Sequence, residues 1–139
     1  MKATLKFLRT IQIAMIIAAL LYLYLPEAVR VQPKAVPPIM YYCIAVMTMG
    51  VVVTIFIVRR RWTTPVENEL STDPENKEAL LRLRKGYVLI YGMSEAAVLF
   101  GLQLRFIGFT RLQVIPFYIT GGILLLYFFP RRLSETSLP

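Results

Sequence analysis

Four runs of apolar residues dominate this sequence, and each is about as long as the roughly 20 residues that an α-helix needs to cross a bilayer. The runs cover residues 7–25, 39–58, 87–108 and 112–129. In all, 57% of the residues are hydrophobic and only 17% are charged, whereas soluble domains have about 25% charged residues. We therefore predict a single all-α domain over 1–139, a polytopic membrane protein whose four transmembrane helices form an antiparallel bundle.

The first run follows a basic start that contains Lys2, Lys6 and Arg9. Such a start is typical of a cleaved signal peptide as well as of a membrane helix. The apolar part is long, however, and the segment LPEAVR after it has no convincing small-residue cleavage site. We expect a retained helix to Leu25, then an extended loop over 26–38, because its four prolines lack the amide hydrogen that a helix needs.

The one sizeable polar segment lies between the second and third runs, over 59–86. It opens with three arginines and Trp62, which are costly in hydrocarbon or prefer the interface, so the second helix should stop there. Asp73 then provides a helix cap before leucines that alternate with basic residues. This pattern predicts a short amphipathic helix over 74–85, on the membrane surface or continuous with the third span, with Gly86 as a hinge. The alternative is a solvated tether.

The distribution of basic residues predicts the orientation in the membrane. If both termini are cytoplasmic, twelve of the 16 Lys and Arg residues lie on the cytoplasmic side. The other four are Arg30, Lys34, Arg105 and Arg111. Cytoplasmic loops carry the excess of basic residues, so we expect a bacterial inner-membrane protein with the loop 59–86 and the tail 130–139 inside. Arg105 lies before the outer end of its run and should extend to the headgroups.

The net charge of +8 favours contact with anionic lipid on the cytoplasmic side. The candidate headgroup contacts are Arg59, Arg60, Arg61, Trp62, Arg82, Arg84 and Lys85. The alternative is that these residues only determine the topology. We expect no nucleic-acid partner, because the sequence has no motif for one.

This sequence lacks the residues that several kinds of active site require. There is no histidine, and Cys43 is the one cysteine, so we expect no His-ligated haem, no common zinc site and no intrachain disulfide. Ser94 lies in the third run without a histidine to activate it as a nucleophile. We therefore expect no enzyme activity, no cofactor and no metal.

One carboxylate, Glu95, lies inside the third run, in the segment GMSEAAVLFG. It is roughly 12 Å from the cytoplasmic edge, at about 1.5 Å per residue. A charge at the centre of a membrane helix costs about 2.5–3.5 kcal/mol on insertion scales, so Glu95 should be protonated or face a partner or water. It is a candidate proton- or cation-binding residue, and the alternative is a fixed hydrogen-bonded pin.

Small and hydroxyl-bearing residues occur near the same depth in this run and in its neighbours. They are Gly50 and Thr54 in the second run, Gly92 and Ala96 in the third, and Thr120, Gly121 and Gly122 in the fourth. Small residues let helices approach closely, and threonines can donate to a carboxylate. We expect Glu95 to point into this layer with Thr54 and Thr120 as partners. The alternative for the small residues is ordinary tight packing.

Two resemblances bear on function. Residues 94–106, SEAAVLFGLQLRF, resemble the glutamate-bearing helix of the proteolipid (c) subunits of rotary ATPases. There the carboxylate binds the transported proton or sodium ion, which the resemblance implies for Glu95. The whole chain is similar to small bacterial four-helix membrane proteins of unknown function, through the segments RRRWTTP and RLRKGYVLIYGMSEAAVLFGL. That likeness implies the four-helix fold and the membrane location.

Together these features indicate a small integral membrane protein without catalytic residues. We expect an accessory or scaffold subunit of a membrane complex, because almost none of the chain lies outside the predicted spans. Its partners would be other membrane subunits or copies of itself. The alternative is a proton- or cation-linked transport element that uses Glu95 and works as an oligomer, since four helices form only a thin bundle.

Overall fold

The computed structural model describes residues 2–128, and its regular elements there are all helical. The α-helices are α1 (Lys2–Ala28), α2 (Pro38–Val58), α3 (Thr64–Thr72), α4 (Lys77–Ile107) and α5 (Arg111–Tyr127). A π-helical turn, Arg59–Thr63, joins α2 to α3. The predicted all-α fold is confirmed for this part of the chain. The predicted tail, 130–139, and the last residue of the fourth run lie outside the described residues.

Within residues 2–128, three helical stretches are long and apolar enough to cross a membrane: Ala3–Ala28, Pro38–Thr72 and Lys77–Ile107. This confirms the prediction of a multi-pass α-helical membrane protein. The fourth apolar helix, α5, has 17 residues. That corresponds to about 25 Å, which is less than the roughly 30 Å of the hydrocarbon core.

Contacts near their two ends show that α1 and α4 run in the same direction. Near the start of both helices, the guanidinium carbon of Arg84 lies 3.5 Å from the centre of the Phe7 ring. At the other end, Arg105 donates a hydrogen bond of 2.8 Å to the carbonyl oxygen of Val31, just beyond α1. Both helices therefore start at one end of the bundle and finish at the other.

The other two long helices run in the opposite direction. The side-chain amide of Gln12, in the first half of α1, donates to the carbonyl oxygen of Leu125 near the end of α5 at 2.6 Å. Arg59, directly after α2, lies 4.9 Å from the ring centre of Phe128, directly after α5. The direction therefore alternates along the chain from α1 to α2, α4 and α5.

The long helix α4 is the centre of the bundle. It packs against each of the other four helices. In the most apolar 18-residue segment of this long helix, half of the segment is buried. The corresponding share is 11% for α1 and 17% for the continuous helical stretch of α2 and α3. The outer helices therefore leave most of their apolar surface uncovered, as membrane helices that face lipid do.

Two glycines bring α4 and α5 close together. A Cβ atom on Gly121 would overlap the side chain of Val98 and lie 2.9 Å from the carbonyl oxygen of Ser94. A Cβ atom on Gly101 would lie 3.0 Å from the Cβ of Phe117. Each glycine lets its helix approach more closely than a larger residue would allow, as is common where membrane helices cross.

The α-helix α2 ends at Val58, directly before the three arginines, as predicted, but the chain does not leave the helical conformation there. The backbone passes through the π-helical turn and stays helical to Thr72. Arginine is costly when its charge enters hydrocarbon, but its backbone propagates a helix well. The segment 59–86 is therefore not an open loop but a hairpin made of α3 and the start of α4.

The helix α4 begins at Lys77, three residues later than the predicted amphipathic helix 74–85. Asn76 caps it, because its side-chain oxygen accepts hydrogen bonds of 3.1 Å from two backbone N–H groups of the first turn. The predicted cap, Asp73, lies in the turn before it. The helix then continues unbroken to Ile107, so the amphipathic segment is continuous with the third span.

Gly86 is not a hinge, because α4 has no interruption there. A Cβ atom at this position would lie 3.0 Å from the Oγ1 atom of Thr63 in the π-helical turn. On the next residue of α4, the hydroxyl of Tyr87 donates to the Oε1 atom of Glu67 in α3 at 2.5 Å. The glycine therefore makes room for the hairpin to fold back against α4.

The extended loop is shorter than predicted, because α1 continues through Pro26 to Ala28. A proline in the last turn removes a single helical hydrogen bond. The following residues, 29–37, are tied to the end of α4, where the backbone N–H of Lys34 donates to the carbonyl oxygen of Gly108 at 2.9 Å. Gly108 has a φ of +128°, which glycine adopts without strain.

The close contact at Gly121 predicts the stability of two neighbouring variants. Gly121→Ala should lower the free energy of unfolding by about 1–3 kcal/mol, because the added methyl group has no room against α4. Gly122→Ala is the matched control, since a Cβ there meets no atom within 4 Å and alanine favours a helix. Thermal melting in detergent measures both. Equal melting of the two variants would contradict the close α4–α5 contact.

Candidate functional site

Glu95 lies in the middle of α4, at the border of its buried face. Ser94, next to it, and Tyr91 and Val98, about one turn away on either side, are buried, whereas Glu95 is partly exposed. Its Oε2 atom is buried and has no hydrogen-bond partner among the described residues. Burying a polar atom without a hydrogen-bond partner destabilises the fold by about 1–3 kcal/mol. A hydrogen-bond donor or a proton at this carboxyl group would remove that cost.

The two threonines expected as partners of Glu95 donate to their own helices instead. The Oγ1 atom of Thr54 donates to the carbonyl oxygen of Gly50 at 2.8 Å, and that of Thr120 donates to Pro116 at 2.7 Å. A hydroxyl has a single hydrogen to donate, and the carbonyl four residues earlier in a helix is its nearest acceptor. Neither threonine is therefore a donor to Glu95.

The small residues do not form the expected layer. Gly121 contacts α4 closely, but a Cβ atom at Gly50, Gly92 or Gly122 would meet nothing within 4 Å. Ala96 is partly buried. Of the four glycines predicted for this layer, Gly121 is thus the one that approaches another described helix closely.

Four of the predicted headgroup residues surround one cavity of about 410 Å³ beside the α3–α4 hairpin. They are Arg61, Trp62, Arg82 and Lys85. No acidic residue of the described part of the chain lines this cavity. Arg82 does have acidic neighbours outside it, since its guanidinium nitrogens lie 3.8 Å from Glu69 and 3.7 Å from Glu78.

The other predicted headgroup residues lie elsewhere. Arg59 and Arg84 lie over the rings of Phe128 and Phe7, respectively. Such cation–π contacts contribute about 0.5–1 kcal/mol at exposed sites, and here each joins two helices. Arg60 is exposed in the π-helical turn.

A second charged cluster lies at the C-terminal end of α4, and sequence reasoning did not find it. Arg105 is 7% exposed and does not extend to solvent as predicted. Its guanidinium donates to the carbonyl oxygens of Val31 at 2.8 Å and Phe109 at 3.2 Å. Glu27 lies 3.7 Å from this guanidinium and 3.2 Å from that of Arg111. The cluster therefore joins the end of α1 to the α4–α5 turn.

A cavity of about 480 Å³ opens beside this cluster, between α1 and α5. Its charged lining comes from Glu27, Arg105 and Arg111, and apolar side chains such as Leu20 provide the rest. Tyr118 also lines it. The hydroxyl of Tyr118 and the Nε atom of Arg105 are buried and have no hydrogen-bond partner among the described residues. One feature of the sequence could have pointed to this cluster: Glu27 is the single acidic residue in the segments predicted to lie on the outer side of the membrane.

No group of three or more His, Cys, Asp or Glu residues within 2–128 could hold a metal ion. Comparison with family models, with curated proteins and with solved structures finds no match to this chain. The resemblances of residues 94–106 and of the whole chain therefore stay predictions.

The contacts of Arg105 predict a second pair of variants. Arg105→Gln should lower the free energy of unfolding by about 1–3 kcal/mol, because the carbonyls of Val31 and Phe109 lose their donors. Arg111→Gln should change it by no more than about 0.5 kcal/mol, since that side chain is 67% exposed. Chemical unfolding in mixed micelles compares them. If Arg105→Gln were as stable as Arg111→Gln, the buried cluster would not contribute to stability.

Proposed function

We propose that this protein is a non-catalytic accessory subunit that associates with other membrane subunits, or with copies of itself, through the surface of α4 around Glu95. The observation that supports this is Glu95 itself, a partly exposed residue of α4 whose Oε2 atom is buried and has no partner among the described residues. Lipid chains offer no hydrogen-bond donor. A helix of another subunit can supply one, as polar groups do between membrane helices.

In the proposed arrangement all four long helices cross the bacterial inner membrane, including α5. Both termini and the α3 hairpin lie in the cytoplasm, in accord with the positive-inside rule. A short span such as α5 is accommodated by local thinning of the bilayer. The hydrogen bond from Gln12 to Leu125 supports a retained first helix, because it joins α1 to α5 inside the bundle.

Anionic lipid on the cytoplasmic side is the second proposed partner. The cavity at the hairpin supports this, because Arg61, Arg82 and Lys85 line it together with Trp62. Each basic residue near an anionic surface contributes about 1 kcal/mol of attraction. Tryptophan prefers the level of the headgroups, so this end of α4 would lie at the interface.

The association through α4 is tested by photo-crosslinking in native membranes. A photoreactive amino acid replaces Leu99, which is one turn beyond Glu95 and 40% exposed. We expect a discrete protein product. It should weaken about tenfold with Glu95→Ala, because a hydrogen bond to a charged group contributes about 1.5–3 kcal/mol. The control probe replaces Ile123 of α5, which is 58% exposed and should give no such product.

Crosslinks from position 99 to lipid alone would contradict the proposed association. A protein product that is equally strong with Glu95→Ala would show that the contact does not use the carboxyl group.

The alternative function is proton- or cation-linked transport, and the same unpartnered carboxyl oxygen favours it. An intramembrane carboxyl group on a partly exposed residue can take up and release a proton or a cation. Reconstituted into liposomes with a pH-sensitive dye, the wild type would then dissipate a proton gradient, and Glu95→Gln would not. Glu78→Gln is the control, because Glu78 is an exposed acid at the start of the same helix. Equal flux for wild type and Glu95→Gln would exclude transport through Glu95.

A further inference from the structure

We propose that the groove between α1 and α5 binds one anionic phospholipid. Its phosphate would lie at Arg105 and Arg111, and an acyl chain would follow the apolar part of the groove toward the middle of the bundle. This site is at the opposite end of α4 from the cytoplasmic basic cavity. It does not depend on Glu95 or on a partner subunit.

The charged end of the groove has an excess of positive charge. Glu27 is shared by the guanidinium groups of Arg105 and Arg111, so the three residues together have a net charge of +1. Arg111 is 67% exposed and lines the cavity, and its one ion pair among the described residues is with Glu27. A guanidinium has five N–H donors in a planar fork that matches a phosphate, so most donors of Arg111 remain for a ligand.

The apolar end of the groove continues past the charged cavity. A second cavity of about 170 Å³ lies deeper, and Leu20, Leu23 and Tyr118 line both. Its remaining lining includes Ile16 and Gly122 and has no charged residue. Ile16 is roughly 16 Å from Glu27 along α1, at about 1.5 Å per residue. The two cavities thus form one groove, charged at the helix ends and apolar further in.

This combination of a cationic end and an apolar continuation matches one class of ligand. A free anion would use only the arginines, and a zwitterionic lipid would bring its own positive charge next to them. An anionic phospholipid complements both parts. The groove is also open to the lipid phase, since Leu20 is 60% exposed and Leu23 is 46% exposed.

The unpartnered donors support a ligand with oxygen acceptors. Tyr118 lies where the two cavities meet, and its hydroxyl has no partner within 2–128. The Nε atom of Arg105 is also buried and has no hydrogen-bond partner among the described residues. Buried donors in native proteins almost always have an acceptor, and the phosphate and ester oxygens of a phospholipid would supply one.

The experiment is native mass spectrometry of the purified full chain, titrated with defined ligands. The probes are phosphatidylglycerol, phosphatidylcholine with identical acyl chains, and inorganic phosphate. We expect the wild type to bind phosphatidylglycerol about tenfold more tightly than phosphatidylcholine, which corresponds to one charge-assisted contact. Inorganic phosphate alone should bind much more weakly than phosphatidylglycerol.

Two variants test the charged end and the apolar end of the groove separately. Arg111→Gln should weaken phosphatidylglycerol binding about tenfold, whereas Arg30→Gln, which removes an equal charge outside the cavity, should not. Gly122→Leu should fill the deeper cavity without a clash at Cβ and weaken lipid binding severalfold. Gly92→Leu is its control, because Gly92 also has open space around it but lines neither cavity.

Three results would overturn the proposal. The first is equal affinity of the wild type for the two lipids. The second is an equal loss of affinity in Arg111→Gln and Arg30→Gln, which would indicate only a diffuse positive field. The third is tight binding of inorganic phosphate together with full lipid binding by Gly122→Leu, which would assign the arginines to a free anion. Thermal melting of each variant confirms that it is folded.

Discussion

The other helices all depend on their packing against α4. Close contacts with α5 occur where Gly121 of α5 meets Ser94 and Val98, and where Gly101 meets Phe117. Lipid chains are as apolar as leucine side chains, so helices in a bilayer gain little from leaving the lipid. Their association depends on shape and van der Waals contact instead. The two glycines therefore position α5, and with it the far wall of the groove beside α1.

Charged side chains at the two ends of α4 are stabilised in different ways. At its C-terminal end, the guanidinium of Arg105 is buried and satisfies two backbone carbonyls. At its N-terminal end, Arg84 remains exposed and stacks over Phe7 of α1. Buried charge needs several hydrogen bonds to offset its desolvation, whereas an exposed charge needs none. Both ends of α1 are thus held against α4 by an arginine, and Glu95 lies between them without a described partner for its Oε2 atom.

The type of each long element was predictable from the length of its apolar run, and so were both ends of α2 to within one residue, whereas the ends of α1 and the start of α4 were not. Gly86 and the three arginines suggested breaks, yet the backbone stays helical at both places. The helix-breaking tendency of one glycine is only about 1 kcal/mol, and Gly86 is buried within the continuous helix α4. The bonding of the threonines was not predictable, because Thr54 and Thr120 donate to carbonyl oxygens of their own helices instead of to Glu95.

By itself the sequence determined an α-helical, multi-pass membrane protein with one carboxyl group inside an apolar helix. That follows because backbone groups in hydrocarbon must pair within their own segment, so long apolar runs become helices. Only the tertiary structure decided that Glu27, Arg105 and Arg111 form one cluster beside a groove. These residues come from separate segments of the chain. Their meeting depends on how three helices are rotated and packed, which no local pattern of residues specifies.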